Sequence, residues 1–258
     1  MVSLLQANVH KPTLRLLRAG FPDRPAFGTA VSEAILRRVA TGELAPTLRL
    51  HRPGRELAFS KQDRGSAGFE RAVAAAREQG FEPVVRLAGG RAAAFHEGTL
   101  AIAWASPADR PVEATRQRFE WMATLVARAL AGLGVDARVG EVEGEYCPGA
   151  WSVNARGRVK LAGIGQRLIA GGAHAGGVIV VSDSALLRRA LEPVYAALEL
   201  EWDPATAAAV EDEAPGTTID DVAEAIVAKL AQEFDLVADE LDPQTLALAE
   251  ELEQGHLA

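Results

Sequence analysis

Residues 145–181 constrain the fold more than any other stretch, because apolar segments alternate there with short polar breaks. One apolar segment covers residues 151–153 and the next covers residues 159–164. The break at 154–157 has the composition of a turn, so the pattern predicts two strands joined as a hairpin. Glycine pairs and an apolar segment at 178–181 follow, and they predict a further strand.

The predicted hairpin brings together two side chains with useful chemistry. Cys147 is the only cysteine of the chain, and the Pro-Gly pair after it places it in a turn. Lys160 lies on the strand face opposite Val159 and Leu161. A lone cysteine is more often a small buried hydrophobe, and a strand lysine is more often solvated or guards an edge. From the residues alone, both the structural and the functional interpretation stay open.

Two motifs of the chain resemble the lipoate–protein ligase A and octanoyltransferase family. Residues 160–167, Lys-Leu-Ala-Gly-Ile-Gly-Gln-Arg, are similar to the family pattern Lys-x-x-Gly-x-x-Gln-Arg. The preceding Glu-Tyr-Cys-Pro-Gly-Ala-Trp-Ser-Val looks like the cysteine-dependent branch, the octanoyl and lipoyl amidotransferases. Residues 86–100 are similar to the segment Arg-x-(Ser/Thr)-Gly-Gly-x-Ala-Val, which lines the family's acyl pocket. Two motifs in the family's order are stronger than either alone, and the resemblance covers roughly residues 25–182.

The resemblance implies a set of site residues. Cys147 and Lys160 are implied as catalytic, because a thiolate can carry an acyl group and an ammonium can stabilise a thiolate or a carbonyl oxygen. The implied substrate-binding residues are Arg86, Gly89, Gly90, His96, Gly163, Gln166, Gly176 and Gly177. The histidines show no metal-ligand spacing, so no metal site is predicted.

Composition limits the class of protein. The chain has 258 residues, 48% of them hydrophobic, which suits one core, residues 1–202, with a linker at 203–216 and a helical segment at 217–258. The net charge of −8 disfavours nucleic-acid binding. A single cysteine fits a reducing compartment, and we expect a cytoplasmic protein without a signal peptide or a membrane span.

The order of predicted elements indicates an α+β fold. Residues 47–51 and 56–60 are predicted to pair as strands, and so are residues 92–95 and 99–104. Helices are predicted between such groups, with the longest at 111–133. Clustered antiparallel strands with intervening helices favour α+β over a doubly wound parallel sheet. The family resemblance likewise implies a mixed, largely antiparallel, biotin/lipoate protein ligase-like fold with helices on one face.

Two enzymatic hypotheses follow from the resemblance. In the first, an octanoyl or lipoyl group passes from an acyl carrier protein or an acyl-bearing protein to Cys147 as a thioester. It then passes to a lysine of an acceptor lipoyl-domain protein, with no cofactor. In the second, an ATP-dependent ligase uses Mg and free lipoate or octanoate, and Lys160 holds the acyl-adenylate. Both share an acyl pocket at residues 86–90.

A third hypothesis is an acyl-binding homologue without catalysis. It is motivated by departures from the family pattern. Ala88 stands where Ser or Thr is usual, and Ala101 stands where an asparagine is common. His174 comes one position before the usual His-Gly pair, which leaves Ala175-Gly176 there.

Overall fold

The computed structural model describes residues 11–258 and has an α+β architecture. Over these residues the chain forms a sheet of eight strands, a sheet of three strands, and helices that pack on both. The predicted fold class is confirmed. The first ten residues of the predicted core lie outside the described residues.

The elements follow one another with short connections. The strands are β1 (Thr13–Leu17), β2 (Thr47–His51), β3 (Glu56–Phe59), β4 (Glu82–Val85), β5 (Ala93–Phe95), β6 (Thr99–Pro107), β7 (Ala137–Val139), β8 (Val153–Ala155), β9 (Val159–Ile169), β10 (Gly172–Val180) and β11 (Asp235–Ala238). The helices are α1 (Pro25–Ala40), α2 (Lys61–Arg64), α3 (Phe69–Glu78), α4 (Thr115–Ala131), α5 (Ser184–Ala197), α6 (Val210–Glu213), α7 (Ile219–Glu233) and α8 (Pro243–Glu253).

The large sheet has the order β11-β1-β2-β6-β10-β9-β8-β7. Strand β1 runs parallel to β2 and β11, and the other pairs are antiparallel. The predicted hairpin of residues 151–164 forms as β8 and β9, with a register shift at Val153 and Asn154. Strand β9 continues to Ile169 and pairs with β10, so the long β9–β10 ribbon is the centre of this sheet.

The small sheet has the order β4-β3-β5, and it corrects two predicted pairings. Strand β2 pairs with β6 in the large sheet, whereas β3 pairs with β4 and β5 in the small one. The chain leaves β2 through Gly54, where a Cβ would lie 1.9 Å from the Pro22 carbonyl oxygen. This close passage carries the chain away from the large sheet, so no hairpin forms.

Strands β5 and β6 also lie in different sheets, although a tight turn joins them. The N–H groups of Val181 and Ser182 donate to the carbonyl of Gly98. The turn between β5 and β6 is therefore bonded to the end of β10, and the two strands diverge from it. Sequence alternation alone could not show which sheet each strand joins.

Helices cover the sheets through three apolar clusters. Helices α4 and α7 pack on the large sheet, and the predicted stripe of α4 is buried at Met122, Val126 and Leu130. Helices α3 and α5 pack on the small sheet, and α1 packs with α8. Thr218 caps α7 with a reciprocal bond to Asp221, as its sequence predicts.

The segment predicted as a linker, residues 203–216, contacts the core. Ala207 to Val210 are buried, and the Ala208 N–H donates to the Lys160 carbonyl. Strand β11 then joins the edge of the large sheet beside β1. The domain boundaries themselves stay a prediction. Within residues 11–258, no helix is both long enough and apolar enough to cross a bilayer.

Candidate functional site

The two sheets meet at the loop after β4, which contains Arg86, Gly89 and Gly90. Opposite it lies the segment 145–152, which we call the thiol loop because it carries Cys147. The backbone N–H of Arg86 donates to the backbone carbonyl of Phe59, and the backbone N–H of Gly89 donates to the backbone carbonyl of Gln166 at 3.3 Å. The loop is therefore bonded to the small sheet at one end and to β9 of the large sheet at the other.

Cys147 is held in a defined orientation. Its φ is 44°, in the left-handed region, and its N–H donates to Tyr195 Oη at 2.8 Å. Its Sγ accepts the Arg91 backbone N–H at 3.1 Å and faces Arg86 Nη2 at 3.5 Å. A non-glycine residue in the left-handed region persists only where surrounding contacts hold it, and these three contacts do so for Cys147.

Electrostatics favour the thiolate of Cys147. Burial by itself raises the pKa of the thiol. The positive charges of Arg86 and Lys160 and the Arg91 N–H outweigh burial, so the pKa is lowered below its ordinary value. A lowered pKa increases the fraction of thiolate, which is the nucleophilic form.

Lys160 is buried, with 1% of its surface exposed, and it organises the thiol loop. Its Nζ donates to the carbonyls of Cys147 at 2.7 Å and Tyr146 at 2.9 Å, and it lies 3.3 Å from Glu145 Oε1. An ammonium has three N–H donors, and all three point to the loop. The cation in contact with Sγ is Arg86, whereas the family resemblance implied the Lys160 ammonium as the group that stabilises a thiolate or a carbonyl oxygen.

Glu145 completes this network from the other side. Its Oε1 accepts the Ser152 hydroxyl at 2.6 Å and the Gly149 N–H at 3.0 Å. Its Oε2 accepts the Val142 N–H at 3.3 Å. The buried ammonium and carboxylate neutralise each other, and together they fix the loop on both sides of Cys147.

The Cys147 thiol occupies the space that a side chain at position 90 would need. A Cβ at this position would lie 2.8 Å from Cys147 Sγ and 2.4 Å from Arg86 Nη2. Its φ of 107° is also unfavourable for other residues. The predicted glycine therefore permits the contact between the loop after β4 and the thiol.

The thiol opens into a cavity that we call the thiol cavity. Aromatic and aliphatic side chains from α4, the thiol loop and β9 form part of its wall, with Phe119, Trp151 and Ile164 among them. Gln166 also lines it, and its side-chain amide bonds the Thr115 carbonyl and Arg118. The wall can hold an apolar group close to Sγ.

A second cavity, the inner cavity, lies on the other side of the loop after β4. Arg86 lines it, together with residues of α1, β2, β6 and β10. Gly176 and Gly177 form part of its wall, and so does His174, whose pKa burial lowers to about 4. Arg86 is thus shared by the thiol contact and the inner cavity.

The predicted site residues therefore divide between two cavities. Cys147, Lys160, Gly89, Gly90 and Gln166 line the thiol cavity, whereas Arg86, Gly176 and Gly177 line the inner cavity. Gly163 lies under Lys160, where a Cβ would be 3.3 Å from Cε.

His96 lines neither cavity. Its Nδ1 accepts the Gly98 N–H at 3.0 Å, so it caps the turn between β5 and β6. The structure does not bring this residue to the site.

Three contributors to the site were missed from the sequence: Arg91, Glu145 and Tyr195. Arg91 contributes its backbone N–H. Almost every residue type has this group, so the sequence does not indicate its role. Tyr195 lies on the buried face of α5, and its hydroxyl donates to the Ala92 carbonyl. Of these three residues, only Glu145 could have been found from the sequence, because it is a charged residue beside Tyr146 and Cys147 in the motif.

The described residues hold no group of three or more His, Cys, Asp or Glu side chains suited to a metal ion.

The fold described above is shared with known structures. The fold matches a crystal structure of lipoate-protein ligase A bound with ATP, with a TM-score of 0.78 and 24% identity over 93% of this chain and 94% of that one. The chain belongs to the lipoyl protein ligase A/B catalytic domain family, whose sequence model matches residues 24–231.

Two curated relatives are similar over part of their length. An octanoyl-[GcvH]:protein N-octanoyltransferase of Anoxybacillus flavithermus is 34% identical over 143 residues, 55% of this chain and 51% of the relative. A lipoyl-[GcvH]:protein N-lipoyltransferase of Listeria monocytogenes is 29% identical over 153 residues, 57% of this chain and 54% of the relative. The chain therefore spans about half the length of the curated relatives it matches.

Proposed function

We propose that the protein transfers an octanoyl or lipoyl group to a lysine of an acceptor protein through a thioester on Cys147. The observation that supports this most is the environment of Sγ, which receives the Arg91 N–H and faces Arg86. A structural cysteine needs neither contact, whereas a nucleophilic thiolate is stabilised by both.

The proposed reaction has two steps. The Cys147 thiolate attacks the acyl carbonyl of the donor and a C–S bond forms. The bond between the carbonyl carbon and the donor's leaving group breaks, and the leaving group takes a proton from solvent. The amine of the acceptor lysine then attacks the thioester carbonyl. An amide bond forms, the C–S bond breaks, the amine loses a proton, and the Cys147 thiolate is regenerated.

The two cavities have different roles in this proposal. The acyl chain extends past Arg86 into the inner cavity, because that guanidinium borders both the thiol and this space. The thiol cavity admits the donor and then the acceptor. The names of the relatives support an acyl-bearing protein as donor and a protein as acceptor. We assign the acceptor to the lipoyl-domain class, as the family resemblance implies.

The ATP-dependent ligase alternative needs a cation for the phosphates of ATP or the acyl-adenylate. Lys160 fits this role poorly, because its Nζ is buried and bonded to Glu145, Tyr146 and Cys147. The proposed reaction therefore uses neither ATP nor Mg.

Intact-mass spectrometry tests the proposal. The protein is incubated with an octanoylated carrier protein, and separately with octanoate, ATP and Mg, before an acceptor lipoyl domain is added. We expect a hydroxylamine-sensitive octanoyl adduct in the first reaction only. Cys147→Ser should lose transfer to the acceptor while its unfolding midpoint changes little.

Cys147→Ala serves as the control, because it cannot form an ester. If Cys147→Ser still transferred the acyl group at the wild-type rate, the thioester proposal would be wrong. Transfer that required ATP would favour the ligase alternative.

A further inference from the structure

The guanidinium that faces the Cys147 thiol is held by few bonds of its own. Within the described residues, the Arg86 side chain bonds only through Nη2, which donates to the Arg91 carbonyl at 2.7 Å and faces Sγ at 3.5 Å. A long side chain that is bonded at one nitrogen depends on its backbone for the direction in which it leaves the chain. The backbone at Arg86 therefore matters for the contact with the thiol.

The peptide group that joins Val85 to Arg86 is fixed at both ends. Its N–H, which belongs to Arg86, donates to the Phe59 carbonyl in β3 at 2.8 Å. Its carbonyl, which belongs to Val85, accepts from Nδ1 of His256 at 2.8 Å. Because a peptide group is planar, two bonds at opposite ends set its orientation. His256 thus fixes the backbone from which the Arg86 side chain starts.

The other ring nitrogen of His256 is bonded to helix α1. Nε2 lies 2.9 Å from Oε2 of Glu33, and Arg37 bonds the other oxygen of this carboxylate. The bond from His256, followed by that from Arg37, outweighs burial and lowers the pKa of Glu33 to about 2. Carbonyl and carboxylate oxygens both accept, so the ring bonds both partners when each nitrogen carries a proton.

The imidazole does more than cover the edge of the small sheet. Strand β4 is an edge strand, and Leu257 already forms a β-bridge with Val84 there. The His256 side chain, which is 5% exposed, instead joins α1 to the residue before Arg86. Helix α1 and Arg86 both line the inner cavity, so the ring holds two walls of this cavity in a fixed relation.

We propose that His256 is a positioning residue that sets Arg86 against the Cys147 thiol by holding the Val85 carbonyl. This inference rests on the function proposed above. His256 lines neither cavity, so its effect reaches the thiol through the backbone of Arg86. Loss of the bond to Val85 frees the guanidinium to move away from Sγ. Arg86 makes the largest contribution among the charges that favour the thiolate.

Alkylation of the single thiol by iodoacetamide, followed against pH by intact mass, tests the proposal on the full chain. The midpoint of the rate profile reports the pKa of Cys147. His256→Gln places its amide nitrogen where Nε2 lies and loses the bond to Val85, whereas His256→Asn places it where Nδ1 lies and keeps that bond. We expect the midpoint to rise by at least about 0.5 pH unit in His256→Gln and by less than about 0.2 pH unit in His256→Asn.

Both substitutions remove one of the two bonds of the ring, so a loss of stability alone would affect them alike. Equal shifts in the two variants, or a wild-type profile in His256→Gln, would overturn the proposal. If His256→Gln does not fold, Glu33→Gln keeps the proposal testable, because it retains an oxygen for Nε2 and the bond to Val85. Its midpoint should stay within about 0.2 pH unit of wild type, and a larger rise would overturn the proposal.

The proposed function is judged separately by the octanoyl adduct on Cys147. An adduct in wild type, together with equal alkylation profiles in the His256 variants, would reject the inference and keep the function. A rise confined to His256→Gln, with no adduct in wild type, would keep the placement of Arg86 by His256 and reject the function.

Discussion

Two groups of buried charges border Arg86, and they are built in opposite ways. On the thiol side, Lys160 and Glu145 are in contact, and their bonds fix the thiol loop. On the inner side, Arg49 and Glu56 form no ion pair with each other, and Arg49 Nη2 has no partner within residues 11–258. The first group is fully bonded within the protein, whereas Arg49 in the second group is not.

This difference separates a network that positions a side chain from a group that lowers stability. A satisfied buried network makes one conformation unique, so its side chains are occupied with the protein itself. An unsatisfied one costs stability in the free protein and is tolerated where a ligand supplies the missing bonds. We infer that the Lys160 network positions Cys147, whereas the incompletely bonded Arg49 lowers the stability of the free protein.

The largest expected effect comes from Lys160→Met. The variant keeps most of the apolar stem but leaves Glu145 buried without its cation. Breaking one side of a buried pair costs about 3–5 kcal/mol, and urea denaturation should show this loss in the free energy of unfolding. The same substitution at an exposed lysine would lower the free energy of unfolding far less.

The double variant Lys160→Met with Glu145→Leu is the control for this experiment. Removing both charges should recover part of the stability, because no buried carboxylate remains unpaired. If the single variant lost less than about 0.5 kcal/mol, Lys160 would not be holding the loop, and the contrast drawn above would fail.

The second expected effect is a pH dependence that belongs to Glu56. Its folded-state pKa of about 8 exceeds the ~4.3 of an unfolded chain. Between these values the folded protein binds the extra proton, so its stability falls as pH rises from about 4.5 to about 8. Glu56→Gln keeps the shape of the protonated carboxyl and should remove this trend. Between pH 5 and pH 8 the free energy of unfolding of wild type should therefore fall by more than about 1 kcal/mol relative to that of Glu56→Gln.

Denaturation of both proteins across this pH range measures the effect. Glu82→Gln is the matched variant, because this exposed glutamate pairs with Glu56 in the register of β3 and β4. It corrects for the loss of one negative charge. Parallel pH profiles for wild type and Glu56→Gln would show that the Glu56 carboxyl is already ionised in the folded protein at these pH values, and the prediction would be wrong.

The smallest expected effect is a difference in stability between substitutions of two buried tyrosines. Tyr195→Phe removes the hydroxyl that bonds the Cys147 N–H and the Ala92 carbonyl, and should cost about 1–2 kcal/mol. Tyr146→Phe removes a buried hydroxyl without a partner in the described chain, so it should be neutral or slightly stabilising. Thermal denaturation measures both, and equal losses would contradict the bonding described here.

Much of the fold could be predicted from local patterns. The β8–β9 hairpin and the apolar stripe of α4 follow from spacing within each segment. The pairings of β2 and β5 could not be predicted, because the contacts that decide them, at Gly54 and Gly98, come from distant segments. Alternation shows that a strand exists, but it does not show which sheet receives it.

The candidate site was predictable where residue type carries the chemistry. Cys147, Lys160 and Gly90, which the motifs contain, lie together in the structure. Arg91 and Tyr195 could not be found, because one contributes a backbone group and the other is bonded across 48 positions of sequence. His96 shows the opposite error. Its residue type suggested a place in the site, but its ring only bonds the turn that follows it.

The position of the thiol loop between the sheets has a consequence for folding. Tyr195 and Arg91 hold Cys147 from the side of the small sheet, and Lys160 holds it from the large sheet. The surroundings that lower the pKa of the Cys147 thiol, which include Arg86, Lys160 and the Arg91 N–H, are therefore complete only where the two sheets are docked.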